Sequence, residues 1–158
     1  MKTERTDILI IGAGPAGSVA AAMLRQQGRK VLIVEREQFP RFSIGESLLP
    51  QSMEYIQAAG LLQDVVEAGF QYKNGAAFVR GERTTEFDFR DKFSPGWGTT
   101  YQVQRADFDH VLAKGAERLG ADVRYRHEVL AAGPGEAPRV NVRSPEGEEY
   151  AIEADFML

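Results

Sequence analysis

The period of the apolar positions changes several times along the chain. Ile8 to Ile11 form an unbroken apolar run, which predicts a strand buried on both faces, as in a parallel sheet. Ala16 to Gln27 is rich in small residues and predicts a helix, and Lys30 to Val34 predicts a second apolar strand closed by Glu35. Residues 36–50 are too irregular for an element and too apolar for a free linker, with Pro40, Gly45 and Pro50 as punctuation. Pro50 suits the first turn of a helix that runs to Ala59 and stops at Gly60, and Leu61 to Ala68 predicts a second short helix.

Beyond Gly69 the period shortens. Gly75 to Arg80 reads as a strand, and Thr85, Phe87 and Phe89 alternate with Glu86 and Asp88 as a strand with one wet face. Gly81-Glu82-Arg83 is the hairpin loop between them. Asp91 to Thr100 is a loop around Trp97, and Tyr101 to Val103 is extended. Asp107 to Leu119 predicts a helix, because Phe108, Val111, Leu112, Ala116 and Leu119 share one stripe and Gly120 follows as a stop. Asp122 to Tyr125 is a strand. His127 to Glu153 is an antiparallel excursion, turning at Pro145-Glu146-Gly147, and Asp155 to Leu158 begin a further apolar strand. A chain ending on strand residues is expected to continue past Leu158. The pattern predicts an α/β, Rossmann-like fold. Its parallel strands lie near 7–11, 30–34, 122–126 and 155–158, with an antiparallel β excursion and an inserted helix/hairpin segment.

Composition narrows the class little. The chain has 158 residues, 43% hydrophobic and 27% charged, as expected for one globular domain. A net charge of −4 gives no reason to expect nucleic acid. The absence of cysteine excludes disulfides, thiolate metal sites and a cysteine nucleophile, and two distant histidines offer no metal-site spacing. No apolar run approaches the roughly 20 residues of a membrane span. No apolar signal core precedes the first strand, so a cytoplasmic protein is the expectation.

The first strand ends in Gly12-Ala13-Gly14-Pro15-Ala16-Gly17, a G-x-G-x-x-G between strand and helix. Gly12 allows the tight turn, Gly14 lets backbone approach a diphosphate, and Gly17 lets helix and strand pack closely. The helix start offers free N–H groups and a positive dipole end. Glu35, closing the second strand, can accept hydrogen bonds from both hydroxyls of an adenosine ribose. Glycine turn, helix and acid together point to dinucleotide binding. FAD and NAD both fit, whereas an acid at the ribose position disfavours NADP despite Arg36 beside it.

Four motifs carry a family resemblance: the glycine loop with Glu35; Pro40-Arg-Phe-Ser-Ile-Gly-Glu-Ser-Leu-Leu-Pro50; Phe70-Gln-Tyr-Lys-Asn-Gly-Ala-Ala-Phe78; and Val103-Gln-Arg-Ala-Asp-Phe-Asp109 followed by Gly120-Ala-Asp-Val123. The sequence resembles the N-terminal part of FAD-dependent oxidoreductases of the p-hydroxybenzoate hydroxylase fold. Within them it most resembles the flavin-dependent halogenases of phenolic or pyrrolic substrates. The resemblance implies FAD as cofactor, held by Gly12, Gly14, Pro15, Ala16, Gly17, Glu35 and Arg36. Arg41 and Arg105 would also reach FAD, and the backbone of Val129 would meet the adenine. It implies 1–50 and 101–158 as the FAD-binding domain and 51–100 as a segment on the substrate side. The family's Gly-Asp and W-x-W-x-I-P motifs are not among these residues and would lie beyond Leu158, so weak FAD binding is expected.

Lys73 matches the catalytic lysine of halogenases. There its ammonium hydrogen-bonds hypohalous acid or carries it as a haloamine; a small aromatic molecule is the substrate and a separate flavin reductase supplies FADH2. Other readings stay open. An aromatic hydroxylase or a geranylgeranyl-reductase-like ene-reductase would share the FAD site, and an inactive FAD-binding fragment would share it without activity. Lys73 can be a solvated lysine beside the Asn74-Gly75 turn, Arg41 a surface side chain, Arg105 a local loop stabiliser, and Glu46 a loop carboxylate paired with Arg41. His127 reads as structural, His110 as solvated, and Asp107 and Asp109 as acids favoured by a helix's first turn.

Overall fold

The computed structural model of the protein describes residues 2–158. Ten strands and four helices follow in the order β1 (Lys2–Ile11), α1 (Pro15–Gln26), β2 (Val31–Glu35), α2 (Pro50–Ala58), α3 (Leu62–Glu67), β3 (Gln71–Lys73), β4 (Gly75–Arg80), β5 (Arg83–Asp88), β6 (Thr100–Gln102), α4 (Arg105–Arg118), β7 (Asp122–Tyr125), β8 (Glu128–Gly133), β9 (Arg139–Arg143) and β10 (Glu149–Met157).

Six strands form the main sheet in the order β7-β2-β1-β10-β9-β8. The first four are parallel and the last two antiparallel. The fold is the expected α/β one, with one difference. Residues 149–157 are a single strand rather than a hairpin return followed by a separate strand. β10 pairs with β9 along one edge and with β1 along the other, Lys2 opposite Tyr150 and Leu9 opposite Met157. The edge strands β7 and β8 are consecutive in sequence, joined by Arg126 and His127 alone, so the sheet curls until its ends meet. Arg126 takes a positive φ of 59° at this corner.

The sheet is apolar on both faces. On one, Ile10, Val31 and Ile33 pack with Ala21 and Ala22 of α1, with Phe108 and Leu112 of α4, and with Met53, Ile56, Leu61 and Val65 of the α2–α3 region. On the other, Leu9, Leu32 and Val34 meet Val140, Val142 and Ile152 inside the curl. Adjacent residues of a strand point to opposite faces, which is why the run Ile8–Ile11 has no polar member to spare. Each such side chain contributes about 1.5–3 kcal/mol when buried.

Two small sheets lie outside this core: β3 with β6, and the hairpin of β4 and β5. The hairpin turns on two residues, Gly81 and Glu82, with Arg80 paired to Arg83. Thr85, Phe87 and Phe89 read as the dry face of this strand. Phe89, just after β5, is buried, but Phe87 is exposed and stacks on exposed Phe78 at 6.0 Å. No helix among the described residues is long and apolar enough to cross a membrane.

Candidate FAD-binding site

The loop after β1 takes the geometry its glycines imply. Gly12 has φ +103°, a conformation that L side chains rarely adopt. A Cβ on Gly17 would lie 2.1 Å from the Gly12 carbonyl oxygen, so nothing larger than glycine fits between loop and helix. Gly14 differs: a Cβ there would meet only Arg41, at 3.7 Å. Its face is open, and it caps α1 without any side-chain hydrogen bond, with Pro15 in the first turn. Ala16 and Gly17 belong to that turn, whose amides have no carbonyl inside the helix. Ser18 ties the arrangement down, donating from Oγ to the Ala13 carbonyl at 2.8 Å.

Glu35 stands at the end of β2, 5% exposed. One carboxylate oxygen accepts the Ala13 N–H and the other the Glu37 N–H, both at 2.9 Å. The carboxylate is thereby fixed against the glycine loop. Each oxygen has two lone-pair directions, so acceptor capacity remains for a ligand.

Beside Glu35 opens a groove of about 550 Å³, lined by Ile11, Gly12, Glu35, Arg36, Arg41, Phe42, Ser43, His127 and Val129 among others. It lies at the carboxyl ends of β1 and β2, where ligands of open α/β sheets bind. The curl of the sheet brings His127 and Val129 here. The His127 N–H donates to the Glu35 carbonyl at 2.9 Å, and its Nδ1 lies 2.9 Å from the Tyr125 carbonyl.

Arg41 joins the groove to α4. Its Nη1 donates to Asp109 at 2.8 Å, and its guanidinium lies 4.7 Å from the centre of the Phe39 ring. Arg105 grips the same carboxylate through Nε at 2.7 Å and Nη2 at 3.0 Å, and donates from Nη1 to the Ile44 carbonyl at 2.5 Å. The bond to Asp109 raises the Arg105 pKa above its ordinary value. Asp109 has no exposed surface. It is therefore a buried anchor for two arginines and, with α4 starting at Arg105, lies past the first turn where the sequence placed it. Arg41 pairs with Asp109, not with Glu46 as the sequence allowed.

Lys73, on β3, belongs to a second locus. Its ammonium donates to Ser47 Oγ at 2.5 Å and to the Leu48 carbonyl at 2.9 Å, and lies 5.1 Å from the centre of the Phe89 ring. It is not a free solvated lysine. The segment between Pro40 and Pro50 touches both loci: Arg41, Phe42 and Ser43 at the groove, Ser47 and Leu48 at Lys73. That segment has little regular structure of its own, but Glu46 accepts from Val103 at 2.8 Å and Leu48 donates to Tyr101 at 3.2 Å.

Of the residues read from the sequence, the structure gathers Gly12, Glu35, Arg36, Arg41 and Val129 on one groove, with Gly14, Pro15, Ala16 and Gly17 on the adjoining loop. Arg105 reaches it through Asp109, and Lys73 stands apart. His127, Phe42 and Ser43 line the groove without having been singled out as ligand contacts. The run Phe42-Ser43 inside the irregular but apolar 36–50 stretch was the signal available for two of them.

The sequence matches the FAD binding domain family over residues 5–158. The chain belongs to this FAD-binding family. The glycine loop, the fixed Glu35 and the open face of Gly14 fit the adenosine diphosphate half of that cofactor. This FAD-binding domain superposes on a flavoprotein/dehydrogenase from Cytophaga hutchinsonii with a TM-score of 0.93 at 48% identity, covering 98% of this chain and 38% of that one. It superposes on the myxobacterial chondrochloren halogenase with a TM-score of 0.88 at 39% identity, covering 98% and 36%. In sequence it is 33% identical to a flavin-dependent halogenase from Armillaria mellea over 96% of this chain and 31% of that protein. The chain thus spans 22% to 32% of the length of the curated relatives it matches.

Proposed function

We propose that this domain forms the adenosine side of the FAD site in a flavin-dependent halogenase acting on a phenolic, pyrrolic or similar small aromatic molecule. The glycine loop and the first-turn amides of α1 hold the diphosphate, with Arg41 beside them. Glu35 takes the ribose hydroxyls, Val129 offers backbone to the adenine, and Arg36 flanks the ribose at the groove mouth. In this reading 1–50 and 101–158 bind FAD, while 51–100 faces the substrate. When bound, FAD supplies the redox chemistry with oxygen, and a separate flavin reductase supplies it in reduced form.

The observation that carries the halogenase reading is the setting of Lys73. An ammonium has three N–H donors. Ser47 and Leu48 take two, which leaves one for an incoming oxidised halogen species. Phe89 covers one side of the ammonium, and the segment that holds it also carries Arg41. A lysine fixed in this way can donate a proton at Nζ, or, once deprotonated, take the halogen of hypohalous acid to form an N–halogen bond as the O–halogen bond breaks and water leaves. The similarity to halogenase relatives supports the same assignment.

The test supplies reduced FAD, oxygen, chloride or bromide and a panel of phenols and pyrroles to the halogenase that carries this domain and to its Lys73→Ala variant. Halogenated product is expected from the parent only, with flavin oxidation equal in both. Product from Lys73→Ala would remove the lysine from the mechanism. The similarity to the flavoprotein/dehydrogenase favours a second reading, an oxidoreductase of the same fold that does not halogenate, such as a hydroxylase or ene-reductase. Consumption of NAD(P)H by the protein alone, without halogenated product, would select it.

A further inference from the structure

We propose that Asp109 is a positioning residue for the diphosphate of FAD, acting through Arg41. The proposal rests on the reading of Arg41 as a diphosphate contact. Asp109 sits on a long helix, fully buried, and accepts three hydrogen bonds from two guanidinium groups. Arg41 comes from an irregular segment 68 positions away. An arginine on such a segment has many rotamers, and its planar fork presents pairs of N–H donors only when its plane is fixed. Here the two ends of that fork are divided. Nη1 is held by Asp109, and Nη2 lies nearest the open face of Gly14. The Phe39 ring beneath the guanidinium fixes its plane.

The placement of donors points the same way. The Arg41 and Arg105 side chains are only 20% and 16% exposed, and both bond Asp109. Glu46 acts on Arg105, so that end of the cluster is already balanced. The Nη2 end of Arg41 adjoins bare amides at a helix start, where an anion at Gly14 would meet both. The carboxylate thus fixes the geometry of Arg41 and leaves Nη2 for the ligand.

The experiment measures binding of ADP and of adenosine by calorimetry, because only ADP carries the diphosphate. Asp109→Asn is expected to weaken ADP binding about tenfold, the size of one lost charge-assisted contact, and to leave adenosine binding unchanged. Arg41→Ala should do the same, and adding Asp109→Asn to it should cost nothing further for ADP. Where Asp109→Asn alone unfolds the chain, Arg105→Gln/Asp109→Asn restores the charge balance and is measured instead; it too should lose ADP and keep adenosine. Parent-like ADP binding by the Asp109 variants, or an equal loss of ADP and adenosine, overturns the proposal. Parent-like ADP binding by Arg41→Ala overturns the reading of Arg41 itself, and no ADP binding by the parent overturns the groove as a nucleotide site.

Discussion

Gly17 and Tyr125 show how single positions constrain this domain. A methyl group at Gly17 would meet the Gly12 carbonyl at 2.1 Å and Ile10 Cγ2 at 3.1 Å, neither of which can withdraw. Gly17→Ala is expected to cost about 1–3 kcal/mol in urea unfolding, the range for overpacked interiors. Tyr125 has a buried hydroxyl with no hydrogen-bond partner among the described residues. Burial first, and then the nearby Glu117 carboxylate, raise its pKa above the ordinary value of 10.0. The folded chain keeps a proton that the unfolded chain releases, so this group's contribution is complete below pH 10 and is lost as the pH climbs further. Tyr125→Phe should therefore lose stability less steeply above pH 10. Thermal melts across pH would show it. At this scale legibility depends on whether a residue's reason is local. Gly12 and Gly17 are explained by the loop itself, a positive φ at one and the Gly12 carbonyl against the other. Asp109 is not: its partner Arg41 is far away in sequence, so a first-turn acid looked ordinary.

The elements were legible where period was strong. The α1, β2 and α4 segments lie where apolar spacing put them, shifted by a residue or two at their ends. β3 was not visible, because three residues, two of them exposed, carry no period. Nor was the continuity of β10, where Glu153 and Asp155 interrupt the apolar run; the backbone continues because β1 offers hydrogen bonds along that edge. Helix packing also rests on an absence that pattern does not advertise. A Cβ on Gly115 of α4 would lie 2.4 Å from Cδ2 of Leu61, so the glycine makes room for that side chain just ahead of α3. Leu61 is fully buried. Leu61→Ala should cost about 2–5 kcal/mol by leaving a cavity at this junction, read as a lowered denaturant midpoint with an unchanged slope.

Across the whole molecule, the groove depends on the sheet closing, since Glu35 belongs to β2 and Val129 to β8. A ligand bridging them should stabilise the entire domain. ADP at one hundred times its dissociation constant is expected to add about 2.7 kcal/mol, seen as a rise in melting temperature that grows with ADP concentration. A melting temperature insensitive to ADP would contradict that coupling. The architecture was readable as a strand-helix-strand start and an antiparallel excursion, but its closure was not, because nothing in the pattern marks β7 and β8 as opposite edges of one sheet. The place of β10 between β1 and β9 carries a further consequence for how the molecule is made. Lys2 of β1 pairs with Tyr150 of β10, so β1 is made well before the neighbour it needs. Until then one edge of β1 waits without its hydrogen-bonding neighbour. High contact order of this kind slows folding and leaves nascent chains open to aggregation, so chaperone dependence during synthesis follows from the strand order itself.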